Sequence, residues 1–215
     1  MNELNKRILS SILIIPLVLF FIIKGSIVFL FFLSLIFLLT CYEWIKMIKN
    51  NEFIKIFGIF FLFFSFTTAY LIRENYNLNF MIIIITICIF TDIGGYIFGK
   101  FFKGPKLTKI SPRKTYTGVI GGFLISLIAS LVYLKYLTNR EVLNIDYFWT
   151  ILLILFTSLV SQIGDLIISY FKRKAKLKDT GRIIPGHGGI LDRIDGLIFV
   201  FPTIYILNLI LYFTT

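Results

Sequence analysis

Seven apolar runs, most of them long enough to cross a lipid bilayer as a helix, restrict this chain more sharply than any other feature. They cover residues 8–23, 26–44, 56–72, 79–99, 117–137, 147–171 and 194–213. A spanning helix needs about 20 mainly apolar residues. Backbone inside hydrocarbon must satisfy its own hydrogen bonds, which leaves only helices or closed barrels. A barrel alternates apolar and polar residues, whereas Ile8–Ile23 and Phe80–Ile87 are near-continuous runs. Composition agrees. The 215 residues are 58% hydrophobic and 15% charged, with a mean hydropathy of +0.90, where a soluble domain is about 25% charged. The chain reads as an all-α, polytopic membrane protein of about seven transmembrane helices. Disorder, a collagen repeat, a disulfide scaffold and a soluble nucleic-acid-binding domain are excluded. The first run follows Lys6 and Arg7 as a signal peptide would. No small-x-small cleavage site follows it, and Lys24-Gly25 leads directly into the next run, so an uncleaved helix is expected.

The net charge of +11 comes from 22 basic and 11 acidic residues. With the N-terminus inside, only Lys24, Arg73, Lys135 and Arg140 fall on the outer side. The other eighteen lie near residues 6–7, 46–55, 100–114 and 172–193. That asymmetry predicts an N-in, C-out topology, because short cytoplasmic loops retain Lys and Arg. The basic residues therefore serve topology and phosphate binding, and no nucleic-acid partner is expected. Cys41 and Cys88 lie inside apolar runs and form neither a metal motif nor a disulfide framework.

The acidic residues point to a site. Asp92 lies within the fourth run and Asp165 within the sixth, each about 10 Å below its helix's cytoplasmic end at 1.5 Å per residue. A carboxylate at mid-bilayer costs at least about 2.5–3.5 kcal/mol, so something must offset it. Asp192 and Asp195 open the seventh run three residues apart, on one helical face. Glu43 ends the second run, and all five acids point to the basic side of the membrane.

Three segments carry chemistry. Ser158, Gln162, Asp165, Ser169 and Lys172 recur at steps of four and three, forming a polar stripe on the sixth helix. The stripe is either a helix–helix hydrogen-bond seam or the wall of a wet, ion-binding cavity, and the buried carboxylate favours the cavity. Lys172–Asp195 is basic, then turn-forming through Pro185, Gly186, Gly188 and Gly189, then acidic. Its glycines let backbone N–H groups approach an oxyanion, the helix opening near Asp192 offers its positive end to an anion, and its carboxylates suit a hard cation. A topogenic loop with Asp192 as helix cap explains each block singly but not their adjacency. His187, beside the glycines, is either a structural hydrogen-bonder or a chemical group. Gly99–Gly122 adds basic residues, prolines and hydroxyls but lacks Walker spacing, so it is no P-loop. Within it Gly118 and Gly122 form a GxxxG packing face. Together these describe a cytoplasm-facing site with carboxylates for a divalent cation and cations for phosphates. Phosphoryl or nucleotidyl transfer onto a lipid has those needs.

Ser169–Asp195 resembles the signature of phosphatidate cytidylyltransferases, also called CDP-diacylglycerol synthases. Ser169, Lys172, Arg173, Lys178, Asp179, Pro185, Gly186, His187, Gly188, Gly189, Asp192, Arg193 and Asp195 fall in its register. Asp92-Ile-Gly-Gly-Tyr96 with Gly99-Lys100, and Ser111-Pro-Arg-Lys-Thr115 with Gly118, are similar to two further family blocks. The opening through Pro16 to Glu43-Trp44 also looks like the family's first helices. Ile93 stands where Ser or Thr is usual, and Thr117 where Glu is frequent. The chain is shorter than typical members, with one helix across residues 50–80 where the family has more. It would divide into N-terminal helices, 1–78, and a catalytic core, 79–215, with cytoplasmic loops 100–116 and 172–193.

The resemblance implies the reaction of CTP with phosphatidate to give CDP-diacylglycerol and pyrophosphate. Asp165, Asp192, Lys172 and Arg193 would be catalytic. Asp92, Ser111, Arg113, Lys114, Thr115, Ser169, Arg173, Lys178, Asp179, His187, Gly188 and Gly189 would bind substrate. Asp165 and Asp192, with Asp195 beside them, would hold Mg²⁺, with room for a second cation. A homodimer and a bacterial inner-membrane location are expected on the same basis. A polyprenol kinase or an ether-lipid cytidylyltransferase would share this logic. A cation or proton transporter would share the buried carboxylates but not the basic glycine-rich loops.

Overall fold

The computed structural model describes residues 3–49, 51–108, 111, 114–136, 147–186 and 188–214. It contains α1 (Glu3–Lys24), α2 (Ser26–Met47), α3 (Glu52–Asn75), α4 (Leu78–Phe102), α5 (Tyr116–Tyr136), α6 (Tyr147–Lys174), α7 (Leu191–Ile194) and α8 (Leu197–Thr214). Among the described residues there is no β-strand. Isolated bridges, Lys106 to Thr115 and Ile184 to Gly188, pin two loops.

Six of the seven apolar runs lie on single long helices as far as they are described, the seventh is divided between α7 and α8, and the breaks have local causes. Gly25, at φ 63°, separates α1 from α2, a conformation that costs glycine little. The break is held from α3. Arg73 Nε donates to the Ile22 carbonyl at 2.6 Å, and Ser26 N donates to Glu74 Oε1 at 2.7 Å. Asn51 and Asn77 cap α3 and α4 by accepting from Ile54 N at 3.0 Å and Phe80 N at 2.9 Å. Pro185 and Gly186 (φ 76°) carry the chain through the turn before α7.

Where a single helix was expected from Asp192 into the last run, the chain breaks at Asp195-Gly196 between α7 and α8. Asp195 Oδ1 accepts from Gly196 N at 3.0 Å, a local bond that competes with helix continuation.

Five helices, α2 to α6, are long and apolar enough to cross a membrane. The apolar parts of α1 and α8, Ile12–Lys24 and Leu197–Ile210, are shorter. Large apolar side chains such as Ile27, Phe53, Phe60 and Phe101 face outward, 70–80% exposed. A belt of that kind belongs against hydrocarbon. Inside, one core gathers Phe29, Ile72, Ile84, Ile87, Ile154 and Ile204. A second, nearer the polar end, gathers Trp44, Met47, Leu62, Ile168, Leu191 and Ile198. The helices α4 and α5 pack most intimately, through glycines: a Cβ on Gly118 would lie 2.8 Å from the Gly95 carbonyl oxygen. That agrees with the close-packing reading of Gly118 and Gly122.

Candidate active site

Three helices and one loop make a cavity of about 260 Å³. Asp92 and Gly95 of α4, Thr115 and Gly118 at the start of α5, and Gln162 and Asp165 of α6 line it, together with Lys114. Lys114 Nζ pairs with Asp165 Oδ2 at 2.5 Å. The lysine is presented by a loop that folds back on itself. Leu107 N donates to the Lys114 carbonyl at 2.8 Å, Tyr116 N to the Pro105 carbonyl at 3.1 Å, and Lys114 N to the Ser111 carbonyl at 3.0 Å. Thr115 Oγ1 accepts from Gly118 N at 3.1 Å, closing the first turn of α5. One turn along α6, Ser169 Oγ donates to Asp165 Oδ1 at 3.2 Å.

The polar stripe on α6 divides in two. Toward the middle of the bundle it is a seam, where Thr91 and Ser158 hydroxyls lie 2.8 Å apart. Toward the polar end it is a cavity wall, formed by Gln162 and Asp165. Gln162 Nε2 is buried against Gly122 and has no hydrogen-bond partner among the described groups.

Beside the cavity, Lys172 joins two aspartates. Its Nζ lies 2.9 Å from Asp192 Oδ1 and 3.9 Å from Asp195 Oδ2. The other oxygen of Asp192 accepts from Thr180 N at 2.8 Å and Gly189 N at 3.0 Å, and lies 3.1 Å from Thr180 Oγ1, whose single proton it shares with Glu43. Asp192 thus secures both ends of the glycine-rich turn. Gly188, at φ 89°, lies so close that a Cβ there would be 3.0 Å from Asp192 Oδ2.

The amino end of α7 was expected to offer its N–H groups to a bound anion. The anion found there is Glu43, which is 1% exposed. Its Oε1 accepts from Ile190 N at 3.0 Å and its Oε2 from Leu191 N at 2.9 Å and Thr180 Oγ1 at 2.9 Å. A carboxylate on free helical N–H groups is electrostatically favoured, so the protein fills this anion site itself. Glu43 was legible only as an acid in an apolar run. Its partners lie more than 130 residues away, so no local signal names them.

Asp165 and Asp195 bring their carboxyls within hydrogen-bonding range of one another, and Asp92 lies beside both. Arg193 lies within electrostatic reach of Asp92. Among the described residues no three His, Cys, Asp or Glu side chains converge tightly enough to hold a metal by themselves. Mg²⁺ does not ask for that: it usually binds one or two carboxylates plus substrate phosphates and water. Facing carboxylates beside Lys114 and Lys172 fit such an ion.

Asp92, Lys114, Thr115, Asp165, Ser169, Lys172, Asp192, Arg193, Asp195, Gly188 and Gly189 are therefore gathered at one end of the bundle. Ser111 contributes its backbone to the Lys114 loop. Arg173, Lys178 and Asp179 are exposed at the rim, and Arg173 donates to the Leu177 carbonyl at 3.3 Å. Arg113 and His187 lie outside the described residues.

Residues 52–211 match the Cytidylyltransferase family. The chain is 36% identical to a phosphatidate cytidylyltransferase of Rickettsia typhi over 213 residues, covering 95% of this chain and 92% of that one. A Rickettsia bellii protein of the same name is 34% identical over 214 residues, 96% of this chain and 91% of that one. One from Staphylococcus haemolyticus is 43% identical over 152 residues, which is 70% of this chain and 54% of that protein.

Proposed function

The chain belongs to the cytidylyltransferase family, and from that premise we propose that it transfers the cytidylyl group of CTP to phosphatidate. A phosphate oxygen of the lipid forms a bond to the α-phosphorus of CTP. The bond from that phosphorus to the oxygen bridging to the β-phosphate breaks, pyrophosphate leaves, and CDP-diacylglycerol remains. The observation that carries this reading is the gathering of Lys114, Lys172 and Arg193 with Asp165, Asp192 and Asp195, buried or half-buried, and the more exposed Asp92, at one end of an apolar bundle.

Both reactants are anions, so the attacking oxygen needs no base. The barrier lies in bringing two phosphates together, and positioned cations lower it. Lys114 and Lys172 would exchange their carboxylate partners for phosphate oxygens. Thr115 and Gln162 line the same cavity and would donate to the nucleotide. Asp192 holds the glycine-rich turn that carries Arg193 toward Asp92. Asp165 and Asp195 would hold Mg²⁺, with Asp192 the third candidate ligand across Lys172. Bound there, Mg²⁺ supplies neutralisation of the triphosphate and polarisation of the α-phosphorus.

In this reading all seven long helices span the membrane, with the N-terminus inside and the C-terminus outside. The basic loops support it, since eighteen of 22 basic residues share one side. The site then faces the cytoplasm at a bacterial inner membrane. Residues 1–78 form the N-terminal helices and 79–215 the catalytic core, and the active form is a homodimer. The test is direct. Membranes carrying the protein receive labelled CTP, phosphatidate and Mg²⁺, and CDP-lipid and pyrophosphate are measured. Equal amounts of both products are expected, lost when Mg²⁺ is chelated. Transfer only to a polyprenol or an ether-lipid phosphate would replace phosphatidate as the acceptor.

A further inference from the structure

Thr180 is buried between two carboxylates that come from different parts of the fold. Its Oγ1 lies 2.9 Å from Glu43 Oε2 on α2 and 3.1 Å from Asp192 Oδ2 on α7. A hydroxyl carries one proton, so this single donor ties both carboxylates at one point. Each is otherwise held by backbone. Glu43 accepts from Ile190 N and Leu191 N, and Asp192 Oδ2 from Thr180 N and Gly189 N. No room is left around them. A Cβ on Gly189 would collide with the Thr180 hydroxyl and with Glu43, and one on Gly181 with Glu43. Neither Glu43 nor Thr180 lines the active-site cavity, and α2 contributes no residue to its wall. Asp192 connects them to the chemistry. Its Oδ1 lies 2.9 Å from Lys172 Nζ, which also stands 3.9 Å from Asp195 Oδ2.

We infer that Glu43 and Thr180 are positioning residues for Lys172: Glu43 fixes the Thr180 hydroxyl, the hydroxyl fixes Asp192, and Asp192 aims the lysine. The inference rests on the proposed cytidylyl transfer, in which Lys172 meets a phosphate, and adds the device that places the lysine for it. Lysine is a point charge on a flexible four-carbon stem, so its own helix, α6, does not settle where Nζ stands. A carboxylate with one oxygen on Nζ and the other on two N–H groups and a hydroxyl does settle it. Those donors are themselves anchored by Glu43, which reaches in from the N-terminal helices. A cation already in place costs no reorganisation when charge shifts between phosphates. Misplacement by about 1 Å can cost as much as 10²-fold in rate. Through this chain of contacts α2 acts on a reaction it does not touch.

The test has two arms, both on the full chain. In the first, kcat and KM for CTP are measured for Thr180→Val, Thr180→Ser, Glu43→Gln and the double variant of Glu43→Gln with Thr180→Val. Valine keeps the shape of Thr180 and removes its proton. Thr180→Val is expected to lower kcat by about tenfold while KM for CTP stays within about threefold, since the bound nucleotide is not touched. Thr180→Ser keeps the hydroxyl and is expected to keep the wild-type kcat. Because Glu43 acts through Thr180, the double variant is expected to be no slower than the slower single one. Wild-type kcat in Thr180→Val, a Thr180→Ser protein as slow as Thr180→Val, or a double variant whose loss is the product of the single losses overturns the assignment. The second arm needs no turnover. The protein is treated with limiting acetic anhydride, and acetylation of Lys172 is read by mass spectrometry against that of the exposed Lys176. The ratio is expected to rise by about threefold or more in Thr180→Val and Glu43→Gln, as the lysine loses its fixed partner, and to stay at the wild-type value in Thr180→Ser. An unmoved ratio in both of the first two variants overturns the assignment and leaves the transfer reading standing. Should the ratio rise while wild-type protein makes no CDP-lipid, the transfer reading fails and the placement of Lys172 stands.

Discussion

Glu43 and Asp165 are both carboxylates inside apolar helices, and their surroundings give them different work. Asp165 faces a lysine and a cavity. Replacing it with Asn keeps the shape, removes the charge, and eases insertion. The Asp165→Asn protein is expected to insert normally while CDP-lipid formation falls by about 10²–10³. Mg²⁺-dependent turnover near the wild-type rate would remove Asp165 from the site. Glu43 faces two backbone N–H groups and a hydroxyl, with Gly181 and Gly189 packed against it. In Glu43→Gln one oxygen becomes an amide that opposes donors. The detergent-solubilised protein is expected to lose about 1–3 kcal/mol of stability, read as a lower melting temperature. Loosening of Thr180 and Asp192 should lower turnover with it. An unchanged melting temperature would show that the turn and α7 are held by something else. That Asp165 and Lys172 share one polar face of α6 was legible, because a charged stripe on an apolar helix is a local pattern. Their partners were not: Lys114 and Asp165 are far apart in sequence, and only the packing of α5 on α6 joins them.

At the level of elements, α4 and α5 depend on glycine for their approach. The two glycines that face each other are not equivalent. A Cβ on Gly118 meets the Gly95 carbonyl at 2.8 Å, whereas a Cβ on Gly95 has its nearest neighbour, the Gly118 carbonyl, at 3.7 Å. Gly118→Ala is therefore expected to push the helices apart, at a cost of about 1–3 kcal/mol, and to shift Thr115 and Lys114 with the start of α5. Gly95→Ala is expected to leave the melting temperature near that of the parent. Equal effects would mean that the helices pack otherwise. The break between α7 and α8 has a related role. Asp192 and Asp195 still meet the same Lys172, so the shared face expected from a three-residue step survives, while Gly196 gives the last helix its own direction.

For the whole molecule, the proposed topology is open to labelling. Cysteines at Asn75 and Val142 should react with an impermeant thiol reagent from outside. Cysteines at the exposed Lys106 and Lys178 should react only once the cytoplasmic face is opened. External labelling at Lys106 would reverse both the topology and the side on which the site lies. The seven long helices were determined by the sequence itself. A helix in hydrocarbon satisfies its backbone within four residues, and the only other requirement is a sufficient apolar run. The side carrying the acids was determined in the same way, since helix position sets depth. Tertiary structure alone decided which charges meet. Glu43 reaches Ile190 across 147 residues of chain, and Lys114 finds Asp165 only because α5 packs beside α6. Each of these depends on the angles and separations of packed helices, which no run of neighbouring residues records.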